Sequence, residues 1–554
     1  MTSWEAAKAA KRRLLREQGT VFKDWGGKIA VALAYPNSYH VGMSNLGFQT
    51  IYGLLNSDDQ IVCERLFYPV GAGFKPAPTP APLISMESQR QPQEFGVLAF
   101  SISYELDYFN IVEMIRASGI PLLASQRDRG RPLVIGGGPC VSANPEPLVP
   151  FFDAFVIGEG EAVLPELVNL LTVGIADSRG DLLEELAKVP GVYVPTYPQT
   201  QPILRQWVPN LDDFATTSII LTPDTEFDNM YLMEIARGCG RGCRFCLAGH
   251  IFRPMRSRSF NTLLGQAEEG LLRSKRLGLV GAAISDHPQL EELVIKLRDR
   301  GAELSVSSLR VKPLSTVVLK ALAEGGTRNV SLAPEAGSPR LRNLVNKGVS
   351  DDDILRAVDA VARIGLKQLK LYFMVGLPTE TDEEAAKIVE LVLSCKAIVD
   401  KLRAETRMIL NISPFVPKAG TPFQWLGMAP PEDLSKRISY IERSLRPKGV
   451  EVRAESVAWS VVQGVLARGD SRLAGVLASM KACSLSTWRQ ALQEHQLDAE
   501  SYARREFPVA EKLPWASVDS GVSLQYLGRE LKKARRGSKT PLCPPVDCHK
   551  CGVC

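Results

Sequence analysis

Short apolar runs and longer helical periods alternate along most of the chain. Between Lys28 and Tyr193 the order is "KIAVALAY", "LGFQTIYGLLN", "FGVLAFSI", "YFNIVEMIRASG", "PLVIGGG" and "AFVIGEGEAVLPELVNLL". Strand-length apolar runs set between segments of helical period predict a doubly wound parallel α/β sheet, with its ligand site where the strands end. A stretch rich in Pro, Gln and Asp near Pro195 to Asp228 predicts a linker. A second α/β series then runs from Tyr231 to about Leu426 through "YLMEIA", "GLVGAAI", "ELSVSSL", "NVSLAPE", "LKLYFMVGLP" and "RMILNISPF", with helical segments such as "DDDILRAVDAVARIG" between them. Six strand-helix units are too few for a closed eight-fold barrel and predict an open, partial (β/α)6 barrel. Residues from about Pro430 to Ala534 predict a mainly helical region with a strand or two, and "PLCPPVDCHKCGVC" closes the sequence. The expected segments are 1–27 (a basic helix), 28–195 (the first sheet), 196–230 (the linker), 231–429 (the barrel), 430–540 (helical) and 541–554 (a Cys-rich tail).

Composition narrows the function classes. The 554 residues are 45% hydrophobic and 23% charged, as in an ordinary multidomain globular protein. The net charge of +5 is too small to demand nucleic acid, although "KAAKRRLLR" and "LKKARRG" concentrate cations near the ends. These read first as solvated helix faces and second as contacts for RNA or another anionic partner. The amino terminus lacks an apolar signal core and no run of 18 apolar residues occurs, so no membrane partner and a cytoplasmic location are expected. In a reducing compartment eleven cysteines predict metal sites or catalytic thiols rather than disulfides. Cys63, Cys140, Cys395 and Cys483 stand alone and read as small buried hydrophobes; the other seven are clustered.

In "EIARGCGRGCRFCLAG", Cys239, Cys243 and Cys246 form C-x3-C-x2-C on a Gly-rich loop past the first barrel strand. Three thiolates can hold three irons of a [4Fe-4S] cluster and leave the fourth open to a ligand. Zinc is the alternative, with His250 the nearest fourth donor, but that spacing departs from paired zinc ligands. The loop, with Phe245 before its last cysteine, resembles the radical S-adenosylmethionine (radical SAM) superfamily, and the likeness extends over most of Tyr231 to Leu426. It implies that the open iron binds S-adenosylmethionine and that one-electron cleavage of the sulfonium gives methionine and a hydrogen-abstracting 5'-deoxyadenosyl radical. It further implies cofactor contacts at Glu335 in "SLAPEAGSPRLR", at Gly376 and Pro378 in "YFMVGLPTET", and at Ser285 beside Asp286 in "VGAAISD". Arg310 and Lys418 are further candidates for the same cavity, with surface or structural roles as the alternative.

The first sheet resembles a Rossmann-like cobalamin-binding domain at three places in order. These are "YPNSYHVGMSNLG" with Ser44, "SISYEL" with Ser101 and Ser103, and "IGGGPCVSANPEP" with Gly136, Gly137 and Gly138. Glycines let a backbone approach a flat ligand or a nucleotide tail, though a Gly-rich turn also suits an empty structural sheet. "IGEGEAVLPEL", with Gly158, Glu159, Gly160 and Glu161, resembles the element joining such domains to radical SAM barrels. The familiar Asp-x-His-x-x-Gly pattern is missing: with Gly47 as its last position, Ser44 replaces the histidine and Gly42 the aspartate. The lower cobalt ligand is therefore unassigned, and His40 reads as a loop histidine.

The tail places Cys543, Cys548, Cys551 and Cys554 in C-x4-C-x2-C-x2-C. Four close thiolates suit an auxiliary [4Fe-4S] cluster or a structural zinc, and exposed free thiols are the alternative. As a whole the chain resembles cobalamin-domain radical SAM proteins with a Cys-rich tail. That resemblance implies an enzyme transferring a methyl group to an unactivated carbon, with a flavodoxin- or ferredoxin-type electron donor. The runner-up is an RNA-modifying or sulfur-inserting, methylthiotransferase-like enzyme; a non-enzymatic iron-sulfur sensor or scaffold is the third reading. No substrate is identified, and RNA is one candidate.

Overall fold

The computed structural model describes residues 3–68, 82–174, 178–306, 308–544 and 548–554. Ser307 of the "ELSVSSL" segment, 545–547 of the tail, 1–2 of the expected basic helix, and 69–81 and 175–177 of the expected first domain lie outside them.

The amino-terminal sheet contains β1 (Ile29–Tyr35), β2 (Ile61–Phe67), β3 (Val97–Ser101), β4 (Leu133–Gly137), β5 (Ala154–Val156) and β6 (Val192–Tyr193), in the order β2-β1-β3-β4-β5-β6. All neighbours are parallel except β5 and β6. This is the expected doubly wound sheet, and its order reverses between β1 and β3, where open α/β sheets bind ligands. The apolar pattern did not predict β2, because "IVCERLF" carries Glu64 and Arg65 in its middle. Both are buried and partnered: Arg65 binds Glu17 and Glu87, while Glu64 accepts from the Trp25 indole and the Ser88 hydroxyl. Glu17 and Trp25 thereby tie the first 27 residues to the sheet rather than leaving them a separate helix.

The second unit contains β8 (Tyr231–Arg237), β10 (Arg276–Gly281), β11 (Glu303–Val306), β12 (Asn329–Glu335), β13 (Gln368–Val375) and β14 (Arg407–Pro414), the six expected strands. A short β9 (Arg256–Ser257) pairs antiparallel with β8, and β15 (Glu451–Ala454), from the region expected to be mainly helical, extends the row beyond β14. The strands form two four-stranded sheets, β11-β10-β8-β9 and β12-β13-β14-β15, that share one apolar core. Between β11 and β12 a backbone bond from Leu309 N to the Ser331 carbonyl, 3.3 Å long, replaces a ladder. A row of six parallel strands with helices outside is the expected partial barrel.

The segment 196–230 packs closely for a linker. Its β7 (Ile203–Leu204) pairs with β16 (Val518–Asp519) near the carboxyl end, while Thr216 and Ser218 exchange backbone bonds with β8. Helices 457–468, 473–479 and 485–494 share an apolar core with the first sheet, and helix 524–535 shares one with helix 339–344 of the barrel. Among the described residues no helix is long and apolar enough to cross a membrane.

Candidate functional site

A cavity of about 560 Å³ lies between the two sheets. Its walls on one side are Leu33 of β1, Ser44 and Asn45 between β1 and β2, Ser101 and Ser103 at and just past the end of β3, and Gly136, Gly137 and Gly138 at and just past the end of β4. On the other side they are Glu234, Ala236 and Gly238 at the end of β8, and Val280, Gly281 and Ala282 at the end of β10. The expected cobalamin contacts Ser44, Ser101, Ser103, Gly136, Gly137 and Gly138 thus line one space, which also reaches Gly238, the residue preceding Cys239. No histidine is among its lining residues. His40 points elsewhere, half exposed and 3.5 Å from Glu226, and Ser44 is engaged by backbone, donating to the His40 carbonyl (2.6 Å) and accepting from Glu226 N (3.0 Å).

The glycines of β4 differ in what they tolerate. Gly138 has φ +117°, and a Cβ there would meet the Ile102 carbonyl oxygen at 2.6 Å, so the turn requires glycine. At Gly137 a Cβ would meet only Val156, at 3.8 Å, leaving space in the cavity itself.

Charge fixes the two walls together. Glu159 accepts from Arg256 Nη2 (2.6 Å), Arg237 Nη1 (2.9 Å) and Val208 N (3.0 Å), and Arg237 also binds Glu161 (2.7 Å) and Glu234 (2.9 Å). The joining role expected of "IGEGEAVLPEL" rests on these contacts with the strand that leads into the cysteine loop.

The loop thiols are surrounded by cations. Arg310 Nη2 approaches Cys239 Sγ at 3.1 Å; Arg310 and Arg241 both bind Asp286, and Arg310 N donates to Ser285 Oγ at 3.1 Å. Burial pushes the Cys243 thiol up, against the pull of Lys347, and burial together with Cys243 pushes Cys246 up to about 12. Lys347 also binds Glu335 at 2.9 Å. Glu335 has φ +72° at a register shift in the β12–β13 ladder, a left-handed backbone that a glutamate adopts only under constraint and that often marks a functional position. His250 is fully buried, with Nδ1 on the Cys246 carbonyl and no partner for Nε2; burial lowers it to about 3, so its imidazole is neutral. Among the described residues no three His, Cys, Asp or Glu side chains converge as ligands of a single metal ion. The donor set nevertheless fits an anionic iron-sulfur group: three neighbouring thiols on one loop with Arg241, Arg310 and Lys347 to offset thiolate charge.

The structure therefore brings Ser285 and Glu335 to the cysteine loop. Gly376 has φ +84° and packs under Leu434 and Ala429, and neither it nor Pro378 lines the cavity between the sheets. Lys418 instead binds buried Glu105 (2.5 Å), which also accepts from Gln463 (2.9 Å), joining barrel, first sheet and helical region. Sequence reasoning missed Lys347 and Asn346. Asn346 donates to the Arg241 and Gly242 carbonyls (3.1 and 3.2 Å) and accepts from Thr540 N (2.9 Å), and no residue spacing announces contacts so far apart in the chain.

Comparison with known proteins agrees with this geometry. Residues 47–195 match the family "Radical SAM proteins, N-terminal" and residues 233–392 match the "Radical SAM superfamily". An uncharacterised protein of Methanocaldococcus jannaschii is 31% identical over 458 residues, 81% of this chain and 90% of that protein. An uncharacterised methyltransferase of Pyrococcus horikoshii is 27% identical over 274 residues, 46% of this chain and 57% of its own. The cobalamin-dependent S-adenosylmethionine radical enzyme OxsB, solved with aqua-cobalamin bound, superposes with a TM-score of 0.50 over 92% of this chain and 80% of that one, at 12% identity, a likeness of fold alone. With both family models in the expected order and a relative matched over 81% of this chain, the chain belongs to the radical SAM superfamily and carries the amino-terminal domain of that family.

Proposed function

We propose that this protein is a cobalamin-dependent radical SAM methyltransferase acting on an unactivated carbon. The observation that carries the reading is the single cavity running from Ser101, Ser103 and Gly136–Gly138 to Gly238, beside Cys239. Cys239, Cys243 and Cys246 would hold the cluster, Ser285 and Glu335 would contact S-adenosylmethionine, and the cavity's first-sheet wall would hold the corrinoid. When bound, these cofactors supply reductive cleavage of the sulfonium and a transferable methyl group. The chain's own residues do the rest. Arg241, Arg310 and Lys347 offset the negative charge of three thiolates, and Lys347 orients the Glu335 carboxylate. The Glu159 and Arg237 contacts hold the two walls at fixed separation, so two cofactors would meet in one enclosed space.

The test is anaerobic protein incubated with hydroxocobalamin, S-adenosylmethionine and dithionite. Corrinoid uptake by equilibrium dialysis and formation of 5'-deoxyadenosine are expected, and the triple change of Cys239, Cys243 and Cys246 to Ala should abolish the second. Substantial 5'-deoxyadenosine from that variant would overturn the cluster assignment. Uptake of no corrinoid by the unaltered protein would overturn the cobalamin reading in favour of sulfur insertion or RNA modification.

A further inference from the structure

The carboxyl-terminal tail folds back onto the cysteine loop, nearly 300 residues earlier in the chain. Cys543 N donates to the Gly240 carbonyl at 2.9 Å, and a Cβ on Gly240 would stand 3.4 Å from that of Cys543. Gly240 directly follows Cys239. Three further groups secure the fit. Asn346 binds Thr540 and the Gly242 carbonyl. The Arg244 guanidinium, fully buried, binds Glu530, the Ser538 carbonyl (2.7 Å) and the Thr540 hydroxyl (3.2 Å). Ser523 N donates to the Cys551 carbonyl at 2.8 Å.

The docked tail gathers its thiols. Cys543, Cys548 and Cys551 line one space, and Cys554 lies three residues past Cys551. Cys548 and Cys551 are only 6% and 2% exposed, although they lie close to the chain end. A small cavity of about 120 Å³ opens onto Cys543, Cys548 and Cys551 and is walled by Gly240, Arg253 and Lys533. Arg253 stands between the two cysteine groups: its Nε donates to the Gly249 carbonyl, on the turn holding Cys246, and it lines the tail cavity together with Cys551. Three thiols at one small cavity, with Cys554 close by in the chain and cations in the wall, are the donor set of an anionic metal centre.

We propose that Cys543, Cys548, Cys551 and Cys554 hold a second iron-sulfur cluster that feeds electrons to the first across the Cys543–Gly240 contact. This rests on the reading of Cys239, Cys243 and Cys246 as cluster ligands. A structural zinc would satisfy the thiols, yet it would leave unexplained why the tail is seated on the one loop that must receive an electron. The balance is one electron per turn: a reduced flavodoxin- or ferredoxin-type donor is oxidised by one electron, the tail centre takes it and passes it on, and cleavage of one sulfonium C–S bond consumes it.

Metal analysis and electron paramagnetic resonance of the anaerobic, reconstituted full chain test this. Two cubanes give about eight irons per chain, and changing Cys548 and Cys551 to Ser should leave about four. When the unaltered protein is fully reduced, the two centres should broaden each other's signals. Arg529→Ala, which removes a bond to the Lys550 carbonyl and touches no atom of the Cys239–Cys246 loop, leaves every thiol in place but loosens the tail. It should keep about eight irons, lose the broadening, and lose reduction by reduced flavodoxin while dithionite still reduces both centres. One zinc with about four irons in the unaltered protein, or eight irons whose signals simply add, would overturn the proposal. Iron and spin coupling are read without S-adenosylmethionine, so an eight-iron, coupled protein that forms no 5'-deoxyadenosine would overturn the proposed function and leave the relay standing.

Discussion

Replacing Glu159 with Gln asks whether charge holds the two sheets around the cavity. After neutralisation Arg237 still has Glu161 and Glu234, but Arg256, whose side chain is 7% exposed, has no other carboxylate among the described residues and keeps backbone carbonyls such as those of Pro254 and Phe252 and the Trp207 ring. The cost is that of breaking a buried ion pair by removing one partner, about 3–5 kcal/mol, taken at the lower end because the amide oxygen still accepts one bond. At ~1.4 kcal/mol per decade, 3 kcal/mol raises the population of the opened interface roughly a hundredfold. Native-state proteolysis of the 196–230 segment reads that population directly when reclosing outpaces cleavage. Cleavage of Glu159→Gln should accelerate by about two decades, while the exposed Glu166→Gln leaves it unchanged. Acid supplies a second reading. Burial raises the Glu159 pKa, but the bonds from Arg256 and the charge of Arg237 more than offset it, so the folded value lies below that of an ordinary glutamate. Its stabilisation is complete above the unfolded value of about 4.3 and is lost as pH falls through the lower folded one. The unaltered protein should therefore open as pH drops below about 4.3, and the variant should lack that component. A variant cleaved within about threefold of the unaltered protein would show that the ion network adds nothing and that apolar packing alone holds the walls.

Three further outcomes follow from other parts of the molecule. Gly137→Leu should fold normally and fail to take up cobalamin in equilibrium dialysis, because its side chain enters open cavity, whereas Gly138→Ala should lower the melting temperature through its clash with Ile102. Equal corrinoid affinity in Gly137→Leu would remove this wall from the site. Burial raises Asp107 to about 7, with Asn37 its hydrogen-bond partner and Glu105 adding repulsion. A carboxyl with a raised folded pKa destabilises progressively as pH climbs from its ordinary value toward 7, so Asp107→Asn should raise the melting temperature at pH 8 and change it little at pH 4; thermal melts at the two pH values decide this. Lys418→Met should leave Glu105 buried with only Gln463, and the loss of one partner of a buried pair, ~3 kcal/mol, should appear as a lower melting temperature at pH 8 and a smaller deficit at pH 4; an equal deficit at both would assign the effect to packing.

What could be read from the sequence was what local spacing encodes. The strands "KIAVALAY", "FGVLAFSI" and "LKLYFMVGLP" announce themselves because the side-chain period that makes a strand is contained within it. The C-x3-C-x2-C loop was legible for a similar reason: one cluster draws its thiols from a few neighbouring residues. Where the answer depended on partners distant in the chain, local pattern failed. Strand β2 looked too polar in "IVCERLF", and Glu17, Trp25, Glu87 and Ser88, from two other segments, make Arg65 and Glu64 burial-compatible. Gly376 packs in its left-handed turn under Leu434, from a much later helix, a contact that its own segment does not announce. The tail carried a readable cysteine spacing but no sign of its address. That was decided by the Gly240 and Gly242 carbonyls, the Asn346 side chain and buried Arg244, because hydrogen-bonding groups at the open ends of loops and helices must find partners, and only the folded chain determines which are within reach.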